Sequence, residues 1–193
     1  MLVIGPGLGR ECETVTLVQE IVKQCHLPMV IDADGLWAVG SNLRLLEDKQ
    51  HVILTPNAPE FVRLLDSAKS QGIIDQSACS GEDLAAALKC TILIKGNNDK
   101  IYKGVAEQLN VTNNELGMPR RCGGQGDIVS GLSATFLHWA LKAKVENPTV
   151  VATLAATTLM KRAAKLGNGW KSHEWTYQKY IPCSPSWRIY VRG

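Results

Sequence analysis

Short, continuous apolar runs alternate along the chain with longer stretches in which apolar residues recur at helical spacing. The apolar runs predict buried strands at residues 2–4, 28–31, 51–54 and 91–94. A continuous run is typical of a strand that is buried on both faces of a parallel sheet, whereas a half-buried strand alternates. The helical stretches lie at about residues 11–25, 59–67, 82–88, 123–143 and 148–165, and residues 101–104 predict one arm of a hairpin.

This alternation of strands and helices predicts an α/β fold, with a mostly parallel sheet and helices on both of its faces. Ligands of such sheets bind at the carboxyl ends of the strands. Clusters of polar and glycine residues follow the predicted strands, for example after Ile4, Ile31 and Leu54, or open a predicted helix. We therefore expect these clusters to converge on one edge of the sheet and to form a ligand site there.

The chain has 193 residues and a mass of 21.0 kDa, which is enough for one domain with its own core. Its 45% of hydrophobic and 20% of charged residues exclude disorder over most of the chain. The longest apolar runs fall far short of the ~18 residues that a membrane span needs. A formal net charge of +3 is too small to indicate nucleic-acid binding by itself. We predict a globular protein that binds neither nucleic acid nor a membrane.

Residues 164–193 differ in composition from the rest of the chain. They hold five basic residues, one acidic residue and six of the eleven aromatic residues. The sequence therefore predicts a domain over residues 1–163 followed by a divergent basic, aromatic tail over residues 164–193. Such a tail resembles a stacking surface for nucleic acid, but we favour a poorly matched C-terminus.

The cysteines form no C-x-x-C pair, and no histidine stands at metal-ligand spacing from them. They are predicted to be reduced intracellular thiols, because nothing at the N-terminus resembles a signal peptide. Most of them are expected to fill small spaces in the core. They are Cys12, Cys25, Cys79, Cys90, Cys122 and Cys183.

Three of the polar clusters admit both a structural and a functional interpretation. Residues 5–9, Gly-Pro-Gly-Leu-Gly, form either a tight turn or a ligand loop, and they lack the spacing of a dinucleotide fingerprint. Asp32 ends a buried strand and indicates a site residue, whereas Asp34 is favoured as a helix cap. Asn57 and Glu60, three residues apart, are favoured as a capping box.

Lys95 follows the fourth strand, where a lysine is either solvated in a β-turn or bound to phosphate oxygens. The strongest feature is the segment from Arg120 to Asp127, Arg-Arg-Cys-Gly-Gly-Gln-Gly-Asp, which opens a long helix. Its glycines and the helix dipole predict an anion-binding loop, and the arginines match phosphate geometry. It is not a Walker A sequence. Asp127, in the first turn, is well placed to accept a proton from an attacking hydroxyl.

Five of these motifs occur in one order, and together they closely resemble the ATP- or ADP-dependent NAD(P)H-hydrate dehydratases. They are residues 5–9, 32–36, 55–60, 95–96 and 122–127. The variant at residues 120–127 resembles the eukaryotic, ATP-dependent branch. The resemblance covers about residues 1–162 and implies a ribokinase-like three-layer α/β/α sandwich.

The same resemblance implies that the N-terminal strands of the family are missing here, since the chain opens directly in a strand-like run. The family's final motifs are also unrecognisable after about residue 162. We therefore expect a truncated chain whose site motifs are intact and whose scaffold is compromised by an unpaired sheet edge. Cytoplasm or mitochondrion is the expected compartment, and a homo-oligomer is compatible with the sequence.

The activity implied by the resemblance is repair of NADHX and NADPHX, in which water has added to the nicotinamide ring. ATP phosphorylates the added hydroxyl, and elimination of phosphate restores NADH or NADPH. Asp127 would be the catalytic base, the Gly124–Gly126 amides would stabilise the moving phosphoryl group, and Mg²⁺ would bridge the phosphates. Two alternatives remain open: a ribokinase-like small-molecule kinase, and a nucleotide-binding remnant without catalysis.

Residue roles carried over from the family fall into two sets. Contacts to the hydrated dinucleotide are implied for Asp127 and for Gly7, Gly9, Asn57, Ala58, Pro59, Glu60, Phe61, Val62 and Arg63. Contacts to ATP are implied for Lys95, Gly96, Asn97, Asn98, Asp99, Gly117, Met118, Pro119, Arg120, Arg121, Cys122, Gly123, Gly124, Gln125 and Gly126.

Overall fold

A computed structural model of the chain describes residues 1–104, 108–118 and 122–168. Residues 169–193, which form most of the predicted tail, lie outside the described residues. So do Pro119, Arg120 and Arg121, which the sequence places in the ATP-binding loop.

The described strands form one sheet in which their spatial order is their order along the chain. The first four strands are parallel, and the last two pair antiparallel. The prediction of a mostly parallel sheet with a hairpin is confirmed, although the last strand was not predicted. The strands are β1 (Leu2–Ile4), β2 (Met29–Ile31), β3 (Val52–Leu54), β4 (Thr91–Ile94), β5 (Asp99–Lys103) and β6 (Leu109–Asn113).

Six α-helices and one 3₁₀ turn, Leu43–Leu46, are described. All five predicted helices are present, with ends that differ from the prediction by up to three residues. The seven-residue helix α2 was not predicted, because its two glycines lower its intrinsic helix propensity. The helices are α1 (Cys12–Gln24), α2 (Asp34–Gly40), α3 (Ala58–Ser70), α4 (Gly81–Leu88), α5 (Gln125–Lys142) and α6 (Pro148–Asn168).

The helices cover the sheet in two layers. Alternate strand residues point to opposite faces: Ile31 and Leu54 pack in the core beneath α1, α2, α3 and α4, whereas Val30 and Ile53 pack against α5 and α6. The resulting three-layer α/β/α arrangement confirms the predicted fold. It leaves the loops at the carboxyl ends of the strands open between the two helical layers.

The cysteines depart from the prediction that most of them fill the core. Cys12 and Cys79 are exposed, Cys25 and Cys122 are half-buried, and of the described cysteines only Cys90 is buried. All five are free thiols. Cys90 lies in the core and Cys25 packs against it. The core-filling interpretation is therefore wrong for Cys12, Cys79 and Cys122, because these three lie in loops or at the start of a helix, away from the apolar strand faces.

Among the described strands, β1 lies at one edge of the sheet and pairs only with β2. The side chain of Val3, in the middle of β1, is 40% exposed. No helix in the described ranges combines the length and the hydrophobicity that would be required to cross a membrane.

Candidate active site at the carboxyl edge of the sheet

The predicted convergence of the polar clusters is observed. Because β1 to β4 are parallel, the segments that follow them, from Gly5, Asp32, Thr55 and Lys95, meet at one edge. Beyond the strands, the Lys95 amide donates a hydrogen bond to the Pro56 carbonyl at 2.9 Å, which holds the ends of β3 and β4 together. These backbone contacts fix the positions of the side chains at the edge.

Asp32 and Lys95 form the central ion pair of this edge. The Lys95 ammonium lies 2.7 Å from Asp32 Oδ1, which also accepts the Ala33 N–H at 2.9 Å. The Asp32 side chain is 1% exposed and the Lys95 side chain 22% exposed. The interpretation of Lys95 as a solvated turn residue is therefore wrong, because the buried carboxylate draws the ammonium into the protein.

The first turn of α5 lies against this ion pair. A Cβ atom built on Gly126 would lie 3.5 Å from Lys95 Nζ and 3.7 Å from Asp32 Oδ2. Gly124, the residue before the helix, has φ of +82°, and its position provides no side-chain cap. The first amides of α5 are thus left without intrahelical acceptors and point towards the edge where Lys95 lies. The predicted opening of this helix at the glycine loop is confirmed.

Asp127 follows Gly126 in the same turn. Its side chain is exposed, and its backbone carbonyl accepts a hydrogen bond from Ser130 Oγ at 2.9 Å. A solvent-accessible carboxylate therefore follows directly after Gly126, which lies against the Asp32–Lys95 ion pair, and it can accept a proton from a hydroxyl bound there.

The Gly5–Gly9 loop is fastened to the end of β2. Gly5 has φ of +131°, and a Cβ atom there would lie 1.7 Å from the Asp32 carbonyl oxygen, so only glycine fits. Gly7, by contrast, has φ of +69° and open space around it. The loop therefore has a rigid root and a tip that a ligand can reach.

Asp34 holds the other end of this loop. Its carboxylate accepts the Gly9 N–H at 3.1 Å and the Arg10 Nε–H at 2.8 Å. Asp34 itself begins α2, and Ala33 precedes it without a side-chain cap. The interpretation of Asp34 as a helix cap is therefore wrong, since the loop amide and the Arg10 guanidinium take both of its oxygens.

Asn57 and Glu60 form the predicted capping box at the start of α3. The Glu60 N–H donates to Asn57 Oδ1 at 2.9 Å, and the Asn57 N–H donates to Glu60 Oε2 at 2.8 Å. The same segment exposes Val62 and Arg63, and Phe61 packs against the core. The capping box explains the residue types at both positions, and the implied contacts with substrate stay a prediction.

The turn after β4 is braced from within. The Gly96 N–H donates to Asp99 Oδ1 at 2.9 Å, and Lys161 of α6 forms an ion pair with Asp99 Oδ2 at 2.8 Å. Asp99 is buried, whereas Asn97 and Asn98 are exposed. Asp99 therefore positions this turn, and the two asparagines are its accessible polar side chains.

Two further segments of the implied ATP site meet near α5. Gln125 Nε2 donates to Met118 Sδ at 3.3 Å, which brings the segment after β6 to the first turn of α5. Gly123 is exposed, and Gly117 is packed against Lys161. These contacts place the described parts of the two segments at the same edge as Lys95.

Sequence reasoning missed the partners that complete this edge. Asp32 was singled out as a candidate but without Lys95 as its partner, which is 63 residues away. The contact of Trp37 with Arg10 and Arg63 was also missed. The one available signal for Asp32 was its position directly after a buried strand, and no local signal exists for the Trp37 contacts.

The fold and this site define a protein of the ribokinase-like class. A ribokinase-like superfamily protein from Enterococcus faecalis has a TM-score of 0.62 at 22% identity, over 83% of this chain and 53% of that one. A Bacillus subtilis structure has a TM-score of 0.64 at 25% identity, over 92% of this chain and 61% of that one. It is described as an ADP/ATP-dependent NAD(P)H-hydrate dehydratase co-crystallised with ATP and Mg²⁺ and soaked with CoA.

The family is NAD(P)H-hydrate dehydratase: its model matches residues 1–181, and the chain belongs to it. Relatives named ATP-dependent (S)-NAD(P)H-hydrate dehydratase include those of Drosophila pseudoobscura pseudoobscura and Vitis vinifera. The first is 40% identical over 84% of this chain and 53% of its own length. The second is 41% identical over 86% of this chain and 50% of its own length. The chain thus spans about half the length of the curated relatives it matches.

Proposed function

We propose that this chain catalyses the ATP-dependent dehydration of the hydrated dinucleotides NADHX and NADPHX to NADH and NADPH. The observation that carries the proposal is the Asp32–Lys95 ion pair beneath Gly126, with the exposed carboxylate of Asp127 beside it. Family membership and the printed name of the relatives support this choice of reaction.

The site residues fit the polyphosphate of ATP. Lys95 supplies a positive charge at the edge, and the first-turn amides of α5 supply neutral donors with the favourable end of the helix dipole. Gly126 leaves room for this approach, because it adds no side chain between the amides and Lys95. Lys95 and the amides would hold phosphate oxygens, and the turn that contains Asn97 and Asn98 would complete the nucleotide site.

Asp127 would perform the proton transfer. The hydroxyl that water adds to the nicotinamide ring is a poor leaving group, and phosphorylation converts it into a good one. In this proposal the Asp127 carboxylate takes the hydroxyl proton while the hydroxyl oxygen forms a bond to the γ-phosphorus and ADP leaves. Breakage of the ring C–O bond then releases phosphate, and loss of a ring proton restores the dihydropyridine.

Mg²⁺ would be bound chiefly by the nucleotide. Within the described ranges no group of three or more His, Cys, Asp or Glu side chains is arranged to hold a metal ion. Mg²⁺ prefers phosphate oxygens and water over an all-protein site. When bound, the ion supplies neutralisation of the phosphate charge.

The remaining implied roles are part of the same proposal. The exposed tip at Gly7 and the segment from Asn57 to Arg63 would contact the hydrated dinucleotide. A homo-oligomer is compatible with the sequence, and the cytoplasm or the mitochondrion is the expected compartment.

Turnover of NADHX tests the proposal directly. The purified 193-residue chain is mixed with ATP, Mg²⁺ and NADHX, and the absorbance of NADH is followed. We expect NADH to form, and Asp127→Ala to lower kcat by about 100-fold or more, as removal of a general base does. Asp48→Ala is the matched control, because Asp48 is an exposed carboxylate remote from the carboxyl edge.

Other outcomes would favour the alternatives. A stable phosphorylated substrate without NADH would show that the chain is a kinase and would refute the dehydratase. Stabilisation of the fold by ATP without any turnover would show a nucleotide-binding protein without this activity.

A further inference from the structure

Trp37, on α2, is contacted by two arginines that come from different parts of the chain. The Arg10 guanidinium carbon lies 4.9 Å from the centre of the Trp37 ring, and that of Arg63 lies 5.9 Å from it. Trp37 is 46% exposed. We call Arg10, Trp37 and Arg63 the platform. The chemistry at Asp127 does not use it.

The platform adjoins the glycine loop at the carboxyl edge of the sheet. Arg10 is held at 2.8 Å by Asp34, and the same carboxylate binds the Gly9 amide of the glycine loop. Arg63 lies on α3, within two turns of Asn57 in the capping box. The position of Arg10 is therefore fixed before any ligand arrives, and Arg63 makes no ion pair in the part of the chain that the structure describes.

A cavity of about 440 Å³ opens beside the indole. Its walls combine apolar side chains from three helices with a charged rim, a composition typical of small-molecule sites. Among the lining residues are Val15, Leu36, Trp37, Glu60, Arg63 and Leu64.

This combination of groups matches a nucleotide. An exposed indole offers a flat surface on which a base can stack, and guanidinium groups bind phosphates as well as aromatic faces. We propose that the platform binds the adenosine half of the dinucleotide substrate, with the adenine stacked on Trp37 and phosphate oxygens at Arg63. The identity of the dinucleotide rests on the proposed function.

The location of the platform determines which half of the dinucleotide it receives. Trp37 and Arg63 belong to the helical layer of α2 and α3, whereas Asp127 belongs to α5 in the opposite layer. The hydrated ring must lie at Asp127 to react. The other half of the molecule then extends across the sheet edge, past the glycine loop, to the layer that carries the platform.

Equilibrium binding of NADH and of reduced nicotinamide mononucleotide, measured by calorimetry, tests this assignment without turnover. Trp37→Ala is expected to raise the dissociation constant of NADH by about 10-fold or more, since a stacked base is lost. Binding of the mononucleotide, which has no adenosine, is expected to stay the same. Trp37→Phe keeps an aromatic face and should restore most of the NADH affinity.

The matched control is Trp139→Ala, because Trp139 is also exposed, at 59%, but lies on α5 beside Phe136. This control should bind NADH like the parent chain. Equal NADH affinity in Trp37→Ala and the parent chain would overturn the platform, as would equal weakening of NADH and mononucleotide binding, or a parent chain that binds no NADH.

The NADHX assay separates this inference from the proposed function. Turnover of NADHX together with unchanged NADH affinity in Trp37→Ala would refute the platform and leave the dehydratase intact. Trp37-dependent binding of NADH by a chain without turnover would refute the dehydratase and leave the platform as a dinucleotide-binding surface.

Discussion

At the scale of single residues, Asp32 determines the electrostatic character of the carboxyl edge of the sheet. Its carboxylate is almost fully buried, yet among the described residues it is paired with one cation, Lys95, whose side chain remains partly accessible. A buried carboxylate is stable there because the ion pair and the Ala33 amide replace its hydration. The ion pair keeps the Lys95 ammonium at the carboxyl edge of the sheet and restrains its position.

The energetic coupling between Asp32 and Lys95 can be measured by a double-mutant cycle. We expect Asp32→Ala to lower the free energy of unfolding by about 1–3 kcal/mol, because it leaves a charged partner unsatisfied. Lys95→Ala should have a similar effect, and the double variant should lose less than the sum of the two. Urea unfolding of the four proteins gives the coupling energy. Effects that add to within about 0.5 kcal/mol would contradict a coupled pair.

Single residues also show where sequence reasoning succeeds and fails. The strand-end position of Asp32 and the glycines before Asp127 were visible locally, and both lie where predicted. Asp34 was misassigned as a cap because its actual donors, Gly9 and Arg10, come from a loop 24–25 residues earlier. Local spacing along the chain identifies a helix cap when both partners are close in sequence. It does not identify hydrogen-bond donors that the fold brings from distant segments.

At the scale of elements, the N-terminus of α3 both caps the helix and connects it to the end of β4. The box formed by Asn57 and Glu60 ends the loop after β3 and begins the helix, and the same loop forms a bridge with Lys95. Helix α4 begins with an equivalent box, in which Ser80 and Asp83 exchange hydrogen bonds. The two helices therefore offer a direct comparison between a cap in the site and a cap outside it.

Replacing the two caps separates stability from binding. Asn57→Ala and Ser80→Ala should each lower the free energy of unfolding by about 1 kcal/mol, since each removes the acceptor of a first-turn amide. Only Asn57→Ala is expected to weaken NADH binding as well. Chemical unfolding and calorimetric titration of both variants check this. Equal NADH affinity in both would show that Asn57 acts as a cap alone.

Elements with strong periodicity were predictable, and those formed by tertiary contacts were not. The four parallel strands are continuous apolar runs, and each was placed to within one residue. Helix α2 is short and contains Gly35 and Gly40, and five of its seven residues are buried between neighbouring helices. Strand β6, Leu109–Asn113, is largely polar and is recognisable only by its pairing with β5. In both cases tertiary packing, rather than the local sequence pattern, determines the secondary structure.

At the scale of the whole molecule, the burial of Cys90 links global stability to pH. Cys90 precedes β4, and burial raises the pKa of its thiol from 9.0 to about 12. The unfolded chain releases this proton above pH 9, while the folded chain retains it until about pH 12. Because the folded pKa is the higher one, the contribution to stability is full below pH 9 and is lost as the pH rises towards 12.

We therefore expect the free energy of unfolding to fall by about 1.4 kcal/mol per pH unit above pH 9 on account of this one group. Cys90→Ala lacks the thiol, so its free energy of unfolding should fall with pH less steeply, by about 1.4 kcal/mol per pH unit. Its free energy of unfolding at neutral pH should also be lower. Urea unfolding at several alkaline pH values measures both slopes. Parallel curves for the two proteins would show that Cys90 does not resist ionisation in the folded state.

The order of the strands has a consequence in time. Each strand from β2 to β6 is synthesised directly after a strand that it pairs with, so the sheet is able to grow from one side while the chain is still emerging from the ribosome. The first turn of α5, which closes over Asp32 and Lys95, is made only after all six strands. A ligand that needs the first turn of α5 would therefore bind only after the six described strands have been made.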